Sequence, residues 1–396
     1  MKKSGQFLLI SLFTLFIFSF CIFFFIKDDV DYSYWENRLL SQKPSLTFDT
    51  IQNNFSSDYE AYFTDQFPLR DTFVYSYIKY QQLTNQTYIQ NHYIDEDLFV
   101  YPKPLEEIPY EQIEVAANNI NQLADFYSEL GSEFLFFYMP NRIVVLHENY
   151  PSFLKGENRV KAKDYLLQQL DTDMKKTDLN EVFMSTFNNE QLKKLYYQTD
   201  HHWNADGSLA GFYFIRDTLL NESLDLQFTD SNYVLNTAPL DFLGSYNRQI
   251  YSIITDHQDE VNYYESSTLN KDKLKIYLGP VADTNLIPYE QIYHPGIYLN
   301  ESPIMYDRIF TNDYKEVNLV YPNALNDKKV IIIKDSYTNA ISLLLAEQFT
   351  QTTLYDVRHN QDRDLYDFLA QQSFDLVLLL TSDVSFNGTN FNFEGE

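Results

Sequence analysis

The chain reads as an α/β protein: a parallel sheet flanked by helices, behind one N-terminal transmembrane helix. Three observations predict this. KKVIIIKDSYTNAISLLLAEQF passes from a β-branched run directly into a helical pattern. TTLYDVRH and FDLVLLLTSD follow as two more strand-like runs with a helical one between them, and strands alternating with helices call for parallel neighbours. GSEFLFFYMP, far upstream, is a compact apolar run of the kind a strand covered on both faces requires.

The first element is FLLISLFTLFIFSFCIFFFI, residues 7–26, which carries no charge and no proline. About 20 apolar residues match a hydrocarbon core of roughly 30 Å. Lys2 and Lys3 precede the run, and Asp28, Asp29 and Asp31 follow it, which places the N-terminus in the cytoplasm and the rest outside. A cleaved signal peptide is the alternative. Against it, the apolar run is long, and IKDDVDYSY offers no small-residue cleavage site.

Beyond the span come a Pro-punctuated linker, a short amphipathic helix from about Phe48 to Phe63, and a longer one from Leu69 to about Leu83. A third helix is predicted over residues 111–129, where Ile113, Ala116, Ile120 and Leu123 share a face, and another over 161–174. A further helix starts just after residue 203, capped by Asn204 or Asp206. Residues 231–325 have few helical signatures and read as irregular strands and loops. The division is therefore a cytoplasmic N-terminus at 1–6, a signal anchor at 7–26, a juxtamembrane linker with the first helices at 27–70, and an extracytoplasmic domain at 71–396 with about 231–325 inserted.

Composition narrows the function. The 396 residues are 44% hydrophobic, enough for a folded protein, and 29 basic against 56 acidic residues give a net charge of −27, which repels nucleic acid. The 33 tyrosines leave a carbohydrate ligand open. The sole cysteine, Cys21, lies in the span, so the exterior has no disulfide and no thiol nucleophile.

Chemistry gathers in YYQTDHHWNADGSLAGF, residues 196–212. Histidines and a carboxylate are legitimate zinc ligands, but no H-x-x-x-H spacing occurs and the other histidines are scattered, so no metal is implied. In an extended segment, Asp200 and His202 fall on one side, where the carboxylate takes the Nδ1 proton and leaves Nε2 as a base. His201 is then a packed neighbour, and Trp203 either immobilises the loop or floors a sugar pocket. The base needs a nucleophile. Ser336 ends the strand VIIIKD and opens a helix, where N–H groups favour developing negative charge. On local sequence alone, Asp335 and Ser336 also serve as ordinary helix caps.

TDHHWNADGSLAGF resembles the signature of the DHHW family, related to the SGNH-like polysaccharide O-acetyltransferases of alginate biosynthesis, and KDSYTNA resembles the nucleophile block of that group. WENRLLSQKP, YFTDQFPLRD, FYMPNR, DFLGSYNR and YDVRH extend the resemblance from about Trp35 to Leu380. It implies an SGNH-hydrolase-like fold and a triad of Asp200, His202 and Ser336. Tyr337, Arg358, Trp203, Asn141, Asn247 and Arg248 stand beside it as substrate or oxyanion candidates, with backbone N–H groups around Ser336 and Tyr337 as oxyanion donors. The nucleophile block commonly begins Gly-Asp-Ser, whereas Lys334 stands at the glycine position here. Arg358 reads as either a pocket arginine or half of an ion pair.

The implied activity is transfer of acetyl groups to hydroxyls of a cell-envelope polysaccharide through an acetyl-serine. The donor partner would be a multi-span membrane-bound O-acyltransferase, and no cofactor is implied. The alternatives are a carbohydrate acetyl-esterase with the same triad and a non-catalytic glycan-binding or assembly subunit.

Overall fold

The computed structural model describes residues 2–47, 54–222, 224–229, 232–383, 386 and 389–394. The chain divides into two compact units, one of residues 1–91 with 247–255, the other of 92–246 with 256–396. The boundary thus falls some 20 residues later than the sequence division at 70, and a short segment of the predicted insert joins the first unit.

The first unit opens with helix α1 (Lys2–Ile26). Its residues Gly5–Ile26 are long and apolar enough to cross a membrane, with a mean hydropathy of 2.7 over an 18-residue window that is almost wholly exposed. Helices α2 (Phe55–Asp65) and α3 (Arg70–Leu83) follow. The sequence placed the start of α2 near Phe48, and residues 48–53 lie outside those described. WENRLLSQKP is explained here: the Arg38 guanidinium grips the Asp65 carboxylate at 2.8 and 2.6 Å and holds it well below the usual carboxylate range.

The second unit is built on an eight-stranded sheet. In chain order come α4 (Tyr110–Glu129), β1 (Glu133–Tyr138), α5 (Glu157–Gln169), β2 (Lys176–Asp178) and α6 (Ala205–Asn221). Next are β3 (Lys275–Leu278), β4 (Leu286–Ile287), β5 (Glu316–Val320), β6 (Asn326–Lys334), α7 (Ser342–Ala346), β7 (Phe349–Tyr355), α8 (Leu365–Ala370) and β8 (Leu376–Thr381). The spatial order is β4-β3-β5-β7-β6-β8-β1-β2. The five strands from β7 to β2 run parallel, while β5, β3 and β4 add an antiparallel edge. The strands expected within 231–325 thus include three that extend the main sheet. Helix α5 also begins and ends earlier than the expected 161–174, because Leu170 is already extended and the chain must reach β2.

Strand alternation explains why the apolar runs are unbroken. Leu135, Phe137, Val330, Ile332, Leu376 and Leu378 face one core, and Phe134, Phe136, Ile331, Ile333, Val377 and Leu379 face the other. Helices α6 and α7 cover the first face, and α4, α5 and α8 the second. With both faces closed, the loops at the carboxyl ends of β1, β6, β7 and β8 are left to form a site.

Candidate active site

The loop carrying Asp200 and His202 is pinched shut by an antiparallel bridge between Tyr196 and Trp203 and by the Asn204 N–H on the Leu195 carbonyl at 3.0 Å. Residues 198–202 inside it are bent, not extended as predicted. Asp200 and His202 meet because one carboxylate oxygen, Oδ1, accepts both the His202 backbone N–H at 3.0 Å and the ring Nδ1 at 2.7 Å. The other oxygen accepts the Ser245 N–H at 2.6 Å. Asp259 braces the loop by accepting from Gln198 N, Thr199 N and Thr199 Oγ1 at 2.6, 3.0 and 2.5 Å.

Ser336 sits at the end of β6. His202 Nε2 lies 2.9 Å from its Oγ, so the three residues form one continuous hydrogen-bonded chain. Asp200 and His202 are 2% and 5% exposed, while Ser336 is half-buried and reachable. Burial works to raise the Asp200 carboxyl, but the adjacent histidines, the His202 hydrogen bond and the Ser245 N–H outweigh it and hold the group well below the usual range. Asp200 is therefore ionised and fixes the proton on Nδ1, which leaves Nε2 to accept from the serine hydroxyl.

The turn after Ser336 is not the long helix expected. Residues 336–340 form a 3-10 turn, and α7 is only five residues long, so local N–H groups rather than a helix dipole are what this turn offers an anion. Asp335 caps it, accepting Tyr337 N at 3.0 Å, and its other oxygen takes Ser382 N and Oγ at 2.5 and 2.8 Å. Tyr337 thus departs from its predicted part, since its N–H is spent on the cap. Its hydroxyl instead donates to the His201 carbonyl at 2.5 Å and accepts from Arg142 N at 3.0 Å, locking the two loops together.

The remaining candidates fall into place individually. Trp203 is fully buried, with its ring N–H on the Tyr337 carbonyl at 3.1 Å, so it anchors the loop and cannot floor an open pocket. Asn141, just beyond β1, accepts from Ile143 N and donates to the Ser382 carbonyl at 2.8 Å, which ties it to the loop that holds Asp335. Arg358 forks onto Asp356 at 2.9 and 2.6 Å and reaches Asp313 at 3.1 Å, the ion-pair reading. Lys334 joins the same cluster through Asp313, Asn339 and Asp356 at 3.0, 2.8 and 3.0 Å, which is how a lysine is accommodated at the glycine position. Asn247 and Arg248 belong to the first unit, where Asn247 clasps the backbone of Ile254 and Arg248 lies over the Tyr34 ring.

Sequence reasoning missed several participants. The Tyr306 ring lies against His202, and Ser245 bonds His201 Nδ1 at 2.7 Å as well as Asp200. Arg142 is buried in a box of Phe99, Tyr101 and Tyr246 and donates to the Val100 and Gln198 carbonyls. Only Ser245 and Arg142 had a signal, as members of DFLGSYNR and FYMPNR. Asp200, His201 and His202 are close enough to hold a metal ion, as are Asp313, Asp356 and His359. In the first group both His202 nitrogens are already engaged, and in the second both aspartates already neutralise Lys334 and Arg358. A cavity of about 700 Å³ borders Tyr196, Tyr197 and Gln198 but includes none of Asp200, His202 and Ser336.

No curated protein matches the chain. Among solved structures, PatB1 of Bacillus cereus is similar at 27% identity and a TM-score of 0.66, covering 76% of this chain and 99% of that one. PatB1 with a sulfonyl adduct gives 26% and 0.65, covering 76% and 97%. A DHHW family protein from Eubacterium siraeum gives 17% and 0.54 over 78% and 97%. The O-acetyltransferase domain of Pseudomonas putida AlgJ is more remote, at 12% and 0.44 over 73% and 90%. The fold is thus the SGNH-like α/β type. The family model described as DHHW protein matches residues 135–355, more than half of the sequence and a span that includes both the histidine loop and Ser336. The chain belongs to the DHHW family.

Proposed function

We propose that this protein is a serine-dependent O-acetyltransferase that acetylates hydroxyls of a cell-envelope polysaccharide. The observation that carries the proposal is the chain Ser336 Oγ, His202 Nε2, His202 Nδ1, Asp200 Oδ1, with links of 2.9 and 2.7 Å at its two ends. Ser336 Oγ attacks the donor's acetyl carbonyl as its proton passes to His202 Nε2, and the tetrahedral intermediate collapses with that proton leaving on the departing group. An acceptor hydroxyl then gives its proton to Nε2, attacks the acetyl-serine, and Ser336 recovers the proton on release. Asp200 holds the tautomer and stabilises the imidazolium. That Bacillus cereus PatB1 carries a sulfonyl adduct is in keeping with this, since sulfonyl groups attach to activated hydroxyls.

The topology belongs to the same reading. With α1 as an N-in signal anchor, the second unit works outside the membrane. Acetyl then has to cross from inside, and a multi-span O-acyltransferase is the partner that would deliver it. Protease added to intact cells should digest the second unit and leave the anchor behind; a protected unit would overturn the topology. The reaction is tested by mixing residues 28–396, an activated acetyl ester and an envelope polysaccharide. Acetyl gained by the polysaccharide supports transfer, whereas free acetate with no gain would make the protein an esterase.

A further inference from the structure

Helix α3 carries a face that the rest of the first unit meets at Phe73 and otherwise leaves exposed. At about 100° per residue, Leu69, Phe73, Ser76, Tyr77, Tyr80 and Leu83 fall in one sector, and all six are exposed. The core-facing sector holds Ile78 and Gln81, and Asp71, Lys79 and Gln82 lie between. A soluble helix places its apolar stripe inward; this one has a second, aromatic stripe outward.

The position of that stripe is tied to α1. The Phe20 ring stacks on Phe67 at 5.6 Å and meets Phe73 at 5.8 Å, and Phe24 packs on Tyr62 and Phe63 at 5.5 and 5.1 Å. Phe20 lies six residues before Ile26, which at 1.5 Å per residue is about 9 Å inside the end of the apolar run, and Phe24 is about 3 Å inside it. If α1 spans a bilayer, the residues touching these two rings lie at the depth of the outer acyl chains and headgroups.

We infer that α2 and α3 form an interfacial element seated in the outer leaflet, with Phe63, Leu69 and Phe73 among the acyl chains and Tyr77 and Tyr80 at the headgroup level. Tyrosine suits that level, with an apolar ring and a polar tip. Helix α3 carries Arg70, Asp71 and Lys79 and α2 carries Asp58, Glu60 and Asp65, the last paired with Arg38, so the element has no basic face and burial of apolar surface drives the seating. The partner is the lipid surface. The element would fix the height of the first unit instead of leaving it on a free tether.

The inference rests on reading α1 as a membrane span, and the sole cysteine separates the two. The full chain is reconstituted into phosphatidylethanolamine/phosphatidylglycerol vesicles with no other protein, and a nitroxide is attached at native Cys21 or, in a Cys21→Ser background, at Tyr77→Cys, Tyr80→Cys or Lys79→Cys. Power saturation with oxygen and with a water-soluble nickel chelate then reports the surroundings of each label. Labels at 21, 77 and 80 should be more accessible to oxygen, and the label at 79 more accessible to nickel. Lipid exposure at 21 with water exposure at both 77 and 80 would overturn the interfacial element while the span stood, and would make the stripe a surface for a protein. Water exposure at 21 as well would remove the span itself.

Discussion

The phenol ring of Tyr306 lies flat on the imidazole of His202, with ring centroids 3.6 Å apart and planes 3° from parallel. The His201 ring lies 3.7 Å from the same imidazole. The imidazole is therefore held against swinging away from Ser336 or rotating out of line with Asp200, and the stack is worth roughly 0.5–1.5 kcal/mol beyond its buried area. Replacing Tyr306 by Leu should lower kcat by up to about tenfold, whereas Tyr306→Phe, which keeps the ring, should change it little. Equal losses in the two variants would assign the effect to the hydroxyl instead.

Gly244 passes so close to the histidine loop that a Cβ there would lie 2.2 Å from the Thr199 carbonyl oxygen. Something must shift, and the neighbour is backbone next to Asp200. Gly244→Ala should leave a folded protein with a displaced loop and a rate reduced about 10²-fold, the scale of a 1 Å misplacement of catalytic groups. Unchanged kinetics would mean that the loop position matters less than its hydrogen bonds imply.

Stability should depend on pH through His294. Burial pushes this histidine down to about 4, against the pull of the Ile309 carbonyl on Nδ1 at 2.6 Å. Between the ordinary value of 6.5 and about 4, the unfolded chain binds a proton that the folded chain refuses, so stability is full above this window and falls as pH falls through it. From pH 7 to pH 5 His294 should account for a loss of about 2 kcal/mol, to which His201, also pushed down by burial, adds in the same direction, so His294→Gln should reduce that slope without abolishing it in denaturant titrations of residues 28–396. An identical slope in the variant would place the titrating group elsewhere.

Chelator treatment and dialysis should leave the activity of residues 28–396 intact, because both His202 nitrogens are already committed to Asp200 and Ser336. Activity lost on chelation and restored by zinc would return His201 and His202 to a ligand role.

The parts of the site that could be read in the sequence are those whose neighbours are close along the chain. Asp200 and His202 are two residues apart, and Ser336 follows an unmistakable strand. The turn after Ser336 is shorter than its sequence suggests because Leu343, Leu344, Leu345 and Ala346 are all buried, and an apolar run with no polar side cannot report its own length as a helix. Tyr306, Asp259 and Asp313 were invisible for a different reason. They come from the stretch 231–325, where helices are as short as four residues and no period has room to develop. What places them is packing over the ends of the sheet, a long-range property that no local pattern records.

Ser336 is expected to carry the acetyl group, and mass spectrometry can detect it there. Residues 28–396 are exposed briefly to an activated acetyl ester, quenched in acid and digested. One added acetyl is expected on the peptide containing Ser336, absent in Ser336→Ala and His202→Ala, with steady-state rates in both variants at least about 10³-fold lower. Asp200→Asn should stay folded and label slowly, since the amide presents the wrong tautomer of His202. Acetylation that persists in Ser336→Ala at the wild-type rate would place the nucleophile elsewhere and rule out an acetyl-Ser336 intermediate.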